Sequence, residues 1–289
     1  MNAYNYIHTK QVQWALNQGI ELIGSKGKRG RPAYTQELNQ NLFEPLEPQV
    51  RDCFMKGDGS ELIGSPSNPA KMQAVHSSSA LAVNIFQYWE KNKQVPTIAA
   101  ACRVCRQGSN VSKRIVFEEK FPVKGITNRI PPNIDVVIHN SESTQFKRFA
   151  VECKFSEAYS SRGEHGLKTP YIKLNEIWND IPNLYDLAKT ICPEDNQFHH
   201  LHPAQLIKHI LGLKTAFGKA GFRLLYLWYD VLGEQGAIHR EEIETFSKVA
   251  KSDDIKFHSL SVQELIIRLA NEYRSDHVEY IKYMSSRYL

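Results

Sequence analysis

Pro132-Asn133-Ile134-Asp135-Val136-Val137-Ile138-His139 is followed, across Asn140-Ser141-Glu142-Ser143, by Phe146-Lys147-Arg148-Phe149-Ala150-Val151-Glu152-Cys153-Lys154-Phe155. Both runs are rich in β-branched and aromatic residues, and Asn140–Ser143, in the six-residue link between them, has turn chemistry, so the pair reads as an antiparallel hairpin. A period of two places Ile134, Val136 and Ile138 on one face of the first strand, and Val151, Cys153 and Phe155 on one face of the second. Asp135, Glu152 and Lys154 fall on the opposite faces, with Glu152 and Lys154 about 7 Å apart along their strand. Two carboxylates and an ammonium inside otherwise apolar strands need a reason.

Working outward, Arg114 to Phe121 alternates and reads as a strand preceding the hairpin. Upstream, Ser77-Ser78-Ser79 offers N-caps for a helix from Ser79 to Glu90, and Pro96-Thr97 opens a short helix. Downstream, the periodicity predicts a helix over Pro203 to Ala216, a strand over Phe222 to Tyr229, a helix over Arg240 to Ala250, a strand over Ile255 to Leu260, and a helix carrying Leu265, Ile266 and Leu269. The expected fold class is α/β, a mixed central sheet flanked by helices, antiparallel early and with βα crossovers later. Residues 1–75 are richer in turn signals. They read as an N-terminal helical extension, with a helix over Gln11 to Ile23, ahead of a domain over 76–289 that carries an irregular insertion at 157–202.

Composition narrows the class without deciding it. A chain of 289 residues, 42% hydrophobic and 23% charged, buries a large core, which excludes a disordered tail or a disulfide-stapled mini-domain. No run approaches eighteen apolar residues, and the N-terminus has no signal-peptide pattern, so the expectation is a cytoplasmic protein without a membrane partner. Five cysteines in apolar surroundings read as reduced thiols. The net charge of +5 permits a nucleic-acid partner and is equally an ordinary solubility device.

Asp135, Glu152 and Lys154, brought together across a hairpin, suit metal-dependent hydrolysis of a phosphodiester. Carboxylates bind Mg²⁺ through oxygen, the ion lowers the pKa of a bound water, and a lysine orients that water, helps deprotonate it, or stabilises charge gathering on phosphorus. Such an acid-x-Lys spacing also arises by accident, so the hairpin context carries the inference. Pro132-Asn133-Ile134-Asp135 followed by Glu152-Cys153-Lys154 resembles the signature of the PD-(D/E)XK nucleases, the restriction-endonuclease-like fold, whose core order of helix, three strands, helix, strand is similar to that over residues 77–230. The resemblance departs at Pro132, three residues before Asp135 rather than adjacent to it. It implies a Mg²⁺-dependent DNA endonuclease of restriction or defence type, with Asp135 and Glu152 as metal ligands, Lys154 activating water, Mn²⁺ substituting for Mg²⁺, and a 5′-phosphate product. Cutting both strands takes two active sites, which a homodimer would supply.

The resemblance also implies an additional upstream acid. Glu118 is favoured because Ile115, Phe117 and Phe121 define the core-facing side of its strand, and Glu90 is the rival. Gln205 resembles a glutamine that some subfamilies place beside the lysine, and Glu157 is a candidate for the groups around the metal's own ligands. Lys28, Arg29 and Arg31, in Arg29-Gly30-Arg31-Pro32, are similar to an AT-hook core and read more simply as a basic loop touching phosphates. Cys102 and Cys105 fit the apolar face of a short helix better than a zinc site, and His199, His200 and His202 sit too close in sequence to converge readily on one ion. Tyr273, Tyr280, Tyr283 and Tyr288 could stack on bases, although such spacing on a terminal helix more often means packing. The competing interpretation of the whole is a non-catalytic nucleic-acid-binding protein on the same fold, with Asp135, Glu152 and Lys154 forming a cross-strand ion-pair network.

Overall fold

A computed structural model describes residues 1–25, 30–57, 59–127, 130–160 and 166–289. The first helix, α1 (Ala3–Asn17), starts where the Asn2 side chain accepts the Asn5 amide at 2.8 Å, and ends ahead of Gly19, which takes φ 71°. A glycine in the left-handed region stops a helix at low cost. The expected helix over Gln11 to Ile23 is therefore shifted: Leu22–Ile23 (β1) instead pairs antiparallel with Tyr34–Thr35 (β2). Helix α2 (Pro48–Lys56) follows, then α3 (Ser78–Lys91), capped by Ser77 accepting the Ala80 amide at 3.2 Å, and α4 (Val95–Ala101).

The central sheet is formed by β3 (Ser112–Lys120), β4 (Asn133–Asn140), β5 (Arg148–Lys154), β6 (Phe222–Trp228) and β7 (Phe257–Ser261), in that spatial order. The pairs β3/β4 and β4/β5 are antiparallel, and β5/β6 and β6/β7 are parallel. This is the mixed α/β architecture expected, consistent with a restriction-endonuclease-like core. The stretch expected to be irregular holds two helices, α5 (Thr169–Lys173) and α6 (Pro182–Thr190), before α7 (Pro203–Phe217). The chain closes with α8 (Glu234–Ser252), α9 (Val262–Tyr273) and α10 (Val278–Tyr288). None of the described helices is long and apolar enough to cross a membrane.

Both faces of the sheet are covered, which is why its strands read as nearly continuous apolar runs. Val136, Ile138, Val151, Cys153, Leu225 and Leu227 face a core shared with α3, α4, α9 and α10. That core also takes Ile7, Val50, Phe54 and Met72 from the first 75 residues. Val137, Ala150, Leu224 and Tyr226 face a second core with α6, α7 and α8. The terminal tyrosines belong to the first core: Tyr280 and Tyr288 are buried, and Tyr280 stacks on Tyr88 with ring centres 4.2 Å apart.

The expected alternation slips by one residue near the acidic pair. Ile134 joins the second core while Val136 and Ile138 join the first, and on β3 Phe121 parts company with Ile115 and Phe117. Glu118 lies between Phe117 and Phe121 and takes φ 55°, a left-handed conformation that changes which face the following residues meet.

Candidate active site

The ladder between β4 and β5 runs from His139/Arg148 to Val136/Val151. Beyond it, the Asp135 carboxylate takes over: Oδ2 accepts the Cys153 amide at 2.7 Å. A side chain that replaces a ladder bond is fixed against its neighbour strand, so Asp135 is held at the step between Glu152 and Lys154. On the other edge of β5 the parallel register pairs Glu152 with Tyr226 and Lys154 with Trp228, and the Tyr229 amide donates to the Lys154 carbonyl at 2.9 Å. The two acids and the lysine are thus carried by the centre of the sheet, the stiffest place available.

Glu152 is 0% exposed, and both of its oxygens are engaged. Lys154 Nζ lies 2.5 Å from Oε1, and His209 Nε2, from α7, lies 2.9 Å from Oε2. Burial acts to raise the Glu152 carboxyl, but Lys154 and His209 outweigh it and hold it down at about 2. Asp135 is pushed the other way, well above the usual carboxylate range, by burial first and then by the charge of Glu152. Burial opposes the charge on Lys154, yet Glu152 and Asp135 raise its pKa, so it stays an ammonium.

Glu118 joins this group. Burial and the charges of Glu61 and Glu152 push its carboxyl up to about 7, against a hydrogen bond from the Asn133 side-chain amide. Glu90, the rival, is turned elsewhere and accepts the Ile115 amide at 2.7 Å. Glu157 accepts the Phe155 amide at 3.1 Å, just beyond Lys154. Gln205 is half-buried on α7, one helical turn before His209. It lines a cleft of about 640 Å³ together with Asn133, Lys168, Lys208 and His209. Arg31 is exposed, whereas Lys28 and Arg29 lie outside the described residues.

His209 is the residue that sequence reasoning missed. Its signal was a polar side chain within the apolar run Leu206-Ile207-Lys208-His209-Ile210-Leu211, and it lies 57 positions from its partner.

The donor set suits a hard cation. Asp135 uses only Oδ2 in its hydrogen bond, leaving Oδ1 without one from the described residues, and Glu118 and Glu152 lie close enough to repel it. Among the described residues no three His, Cys, Asp or Glu side chains enclose an ion. Mg²⁺ is ordinarily bound through one or two carboxylates, with waters or substrate oxygens completing its shell.

A family profile described as REase-ARP, "Restriction Endonuclease associating with ARP", matches residues 7–289. No curated protein and no solved structure matches this chain.

Proposed function

The chain belongs to the REase-ARP family of restriction endonucleases, and on that premise we propose that it is a Mg²⁺-dependent DNA endonuclease of the PD-(D/E)XK type, acting through Asp135, Glu152 and Lys154. The observation that carries this reading is the 2.7 Å bond from the Cys153 amide to Asp135, which binds the aspartate to the strand bearing Glu152 and Lys154. Asp135 and Glu152 would hold the metal, and the charge of Glu118 acts on Asp135 without completing a three-ligand cluster among the described residues. A bound Mg²⁺ would neutralise the scissile phosphate and acidify the attacking water.

The chain's own groups supply the rest. Lys154, kept as an ammonium by its acidic neighbours, donates to the attacking water or a non-bridging phosphate oxygen and stabilises charge gathering on phosphorus. The water oxygen bonds to phosphorus and releases a proton to solvent, the P–O3′ bond breaks, the 3′ oxygen takes up a proton from solvent, and a 5′-phosphate remains. His209 fixes the rotamer of Glu152 from behind. A homodimer would supply the second site needed to cut both strands.

One observation favours a second reading, a non-catalytic DNA-binding protein: Lys154 and His209 already satisfy both Glu152 oxygens. Supercoiled plasmid with purified protein and Mg²⁺ or Mn²⁺ separates the two. We expect nicking or linearisation that is abolished by chelator, and a loss of at least about a hundredfold in Lys154→Ala and Asp135→Asn. Equal cleavage by both variants would overturn the site, and no cleavage by the unaltered protein in either metal would favour the second reading.

A further inference from the structure

Two residues of the 640 Å³ cleft reach directly into the acidic group. The Asn133 side-chain amide donates to Glu118, and His209 Nε2 contacts Glu152. Asn133 and His209 thus border both the cleft and the acidic group. Each of these two residues also has a second polar atom, Asn133 Oδ1 and His209 Nδ1, that is shut from solvent and has no hydrogen-bond partner in the structure. His209 itself is 2% exposed. Native proteins rarely leave such atoms unsatisfied, and a buried water or ion is an ordinary explanation.

The lining of the cleft indicates what it could take. Lys168 and Lys208 place two cations at the cleft, Gln205 adds an amide, and Ile130, Pro131 and Pro132 provide an apolar wall. Cations for phosphates, amides for base or sugar edges and an apolar surface for a base plane are the parts of a single-strand groove. A volume of about 640 Å³ matches roughly one or two nucleotides, within the range, roughly 300–1,000 Å³, of sites for drug-sized molecules.

We propose that this cleft binds an unpaired DNA strand beside the scissile phosphate, so that the preferred substrate carries a single-stranded end, gap or flap. The proposal rests on the reading of Asp135, Glu152 and Lys154 as the hydrolytic site. Lys168 and Lys208 hold the phosphates of the unpaired nucleotides, and the duplex, where present, lies outside the cleft.

The test is fluorescence anisotropy on Asp135→Asn protein, in which no cleavage intervenes. The probes are a labelled single strand of about ten nucleotides and the same sequence as a blunt duplex. We expect the single strand to bind on the order of tenfold more tightly. Adding Lys168→Glu and Lys208→Glu together should weaken single-strand binding by about tenfold or more and lower its salt slope by about 1.4. Lys282→Glu, on the exposed side of α10 against the opposite core, should change it by less than about twofold, as expected for a distant charge screened by salt. Equal affinity for the duplex, unchanged binding by the double variant, or the same loss from Lys282→Glu would each overturn the proposal. Cleavage by the unaltered protein is scored separately. If it cuts while the double variant binds normally, the cleft assignment fails and the hydrolytic site stands. If the double variant loses the strand and nothing is cut in any metal, the cleft stands and the hydrolytic reading fails.

Discussion

His209 Nε2 lies 2.9 Å from Glu152 Oε2, and both side chains are almost wholly shut from solvent. With Lys154 on the other oxygen, this contact makes Glu152 a buried, fully bonded carboxylate. Truncation at His209 would leave one oxygen without a partner in a site that water does not reach freely. Such a loss costs about 1–3 kcal/mol, and more for a charged group.

The cost of His209→Ala should depend on pH. Glu152 is held at about 2, below its ordinary value of 4.5, so its contribution to stability is fully present above 4.5 and is lost as pH falls toward 2. Removing His209 shrinks that depression. Urea unfolding should therefore show a deficit of about 2 kcal/mol at pH 7 that narrows as pH drops below 4.5. His209→Gln, whose amide can donate in place of the ring, should recover part of it. A deficit that stays constant down to pH 3 would mean that His209 acts only by filling space.

Glu118 carries the opposite sign. Its carboxyl is pushed up to about 7 from 4.5, so the folded protein holds a proton that the unfolded chain has already released. Stability is unaffected by this group below 4.5, falls as pH rises from 4.5 to 7, and carries a fixed penalty above. Glu118→Gln removes the penalty. In chelator at pH 8 the variant should be more stable than the unaltered protein by up to about 3 kcal/mol, and the two should converge below 4.5. The same variant should need more Mg²⁺ for cleavage if Glu118 assists in holding the metal. Equal stability of the two proteins at pH 8 would rule out a crowded acidic site.

What could be read in the sequence was what is local. The β4/β5 hairpin and the grouping of Asp135, Glu152 and Lys154 follow from two adjacent strands and a turn, so periodicity reveals them. His209 was hidden because it arrives from a helix beyond an intervening segment. The face slip at Glu118 was hidden because a non-glycine residue at φ 55° leaves no mark in the residue pattern. Helix α1 was misplaced because its buried side includes Gln11, a polar residue whose amide donates to the Arg287 carbonyl at 2.9 Å and whose oxygen accepts from the Arg287 side chain at 3.1 Å. Arg287 in turn donates to the Asn41 and Val75 carbonyls and lies 4.1 Å over the Trp14 ring. A charged residue 1% exposed, tying the last helix to the first 75 residues through neutral oxygens, is a tertiary fact with no local signature.

The helices of the 157–202 segment show the same limit in a form that can be tested. Helix α6 begins without a side-chain cap of its own, and its first amides are met instead by Asp253. Asp253 Oδ1 accepts from the Asn183 amide at 3.1 Å and from its side chain at 2.7 Å, while Oδ2 accepts the Leu184 amide at 2.7 Å. Glu242 serves the stretch before α7 likewise, taking the amides of His199, His200 and Leu201. A carboxylate at a helix N-terminus both satisfies orphan donors and meets the positive end of the helix dipole. Because these caps come from residues 41 to 70 positions away, the local sequence marks the helix starts with little more than Pro170 and Pro182. Asp253→Ala should cost about 1–2 kcal/mol and raise hydrogen exchange most at the Asn183 and Leu184 amides. Asp253→Asn should be intermediate, since its amide oxygen still accepts but carries no charge. Exchange that rises evenly across the sheet, with no excess at Pro182–Thr190, would show that α6 holds its start without Asp253.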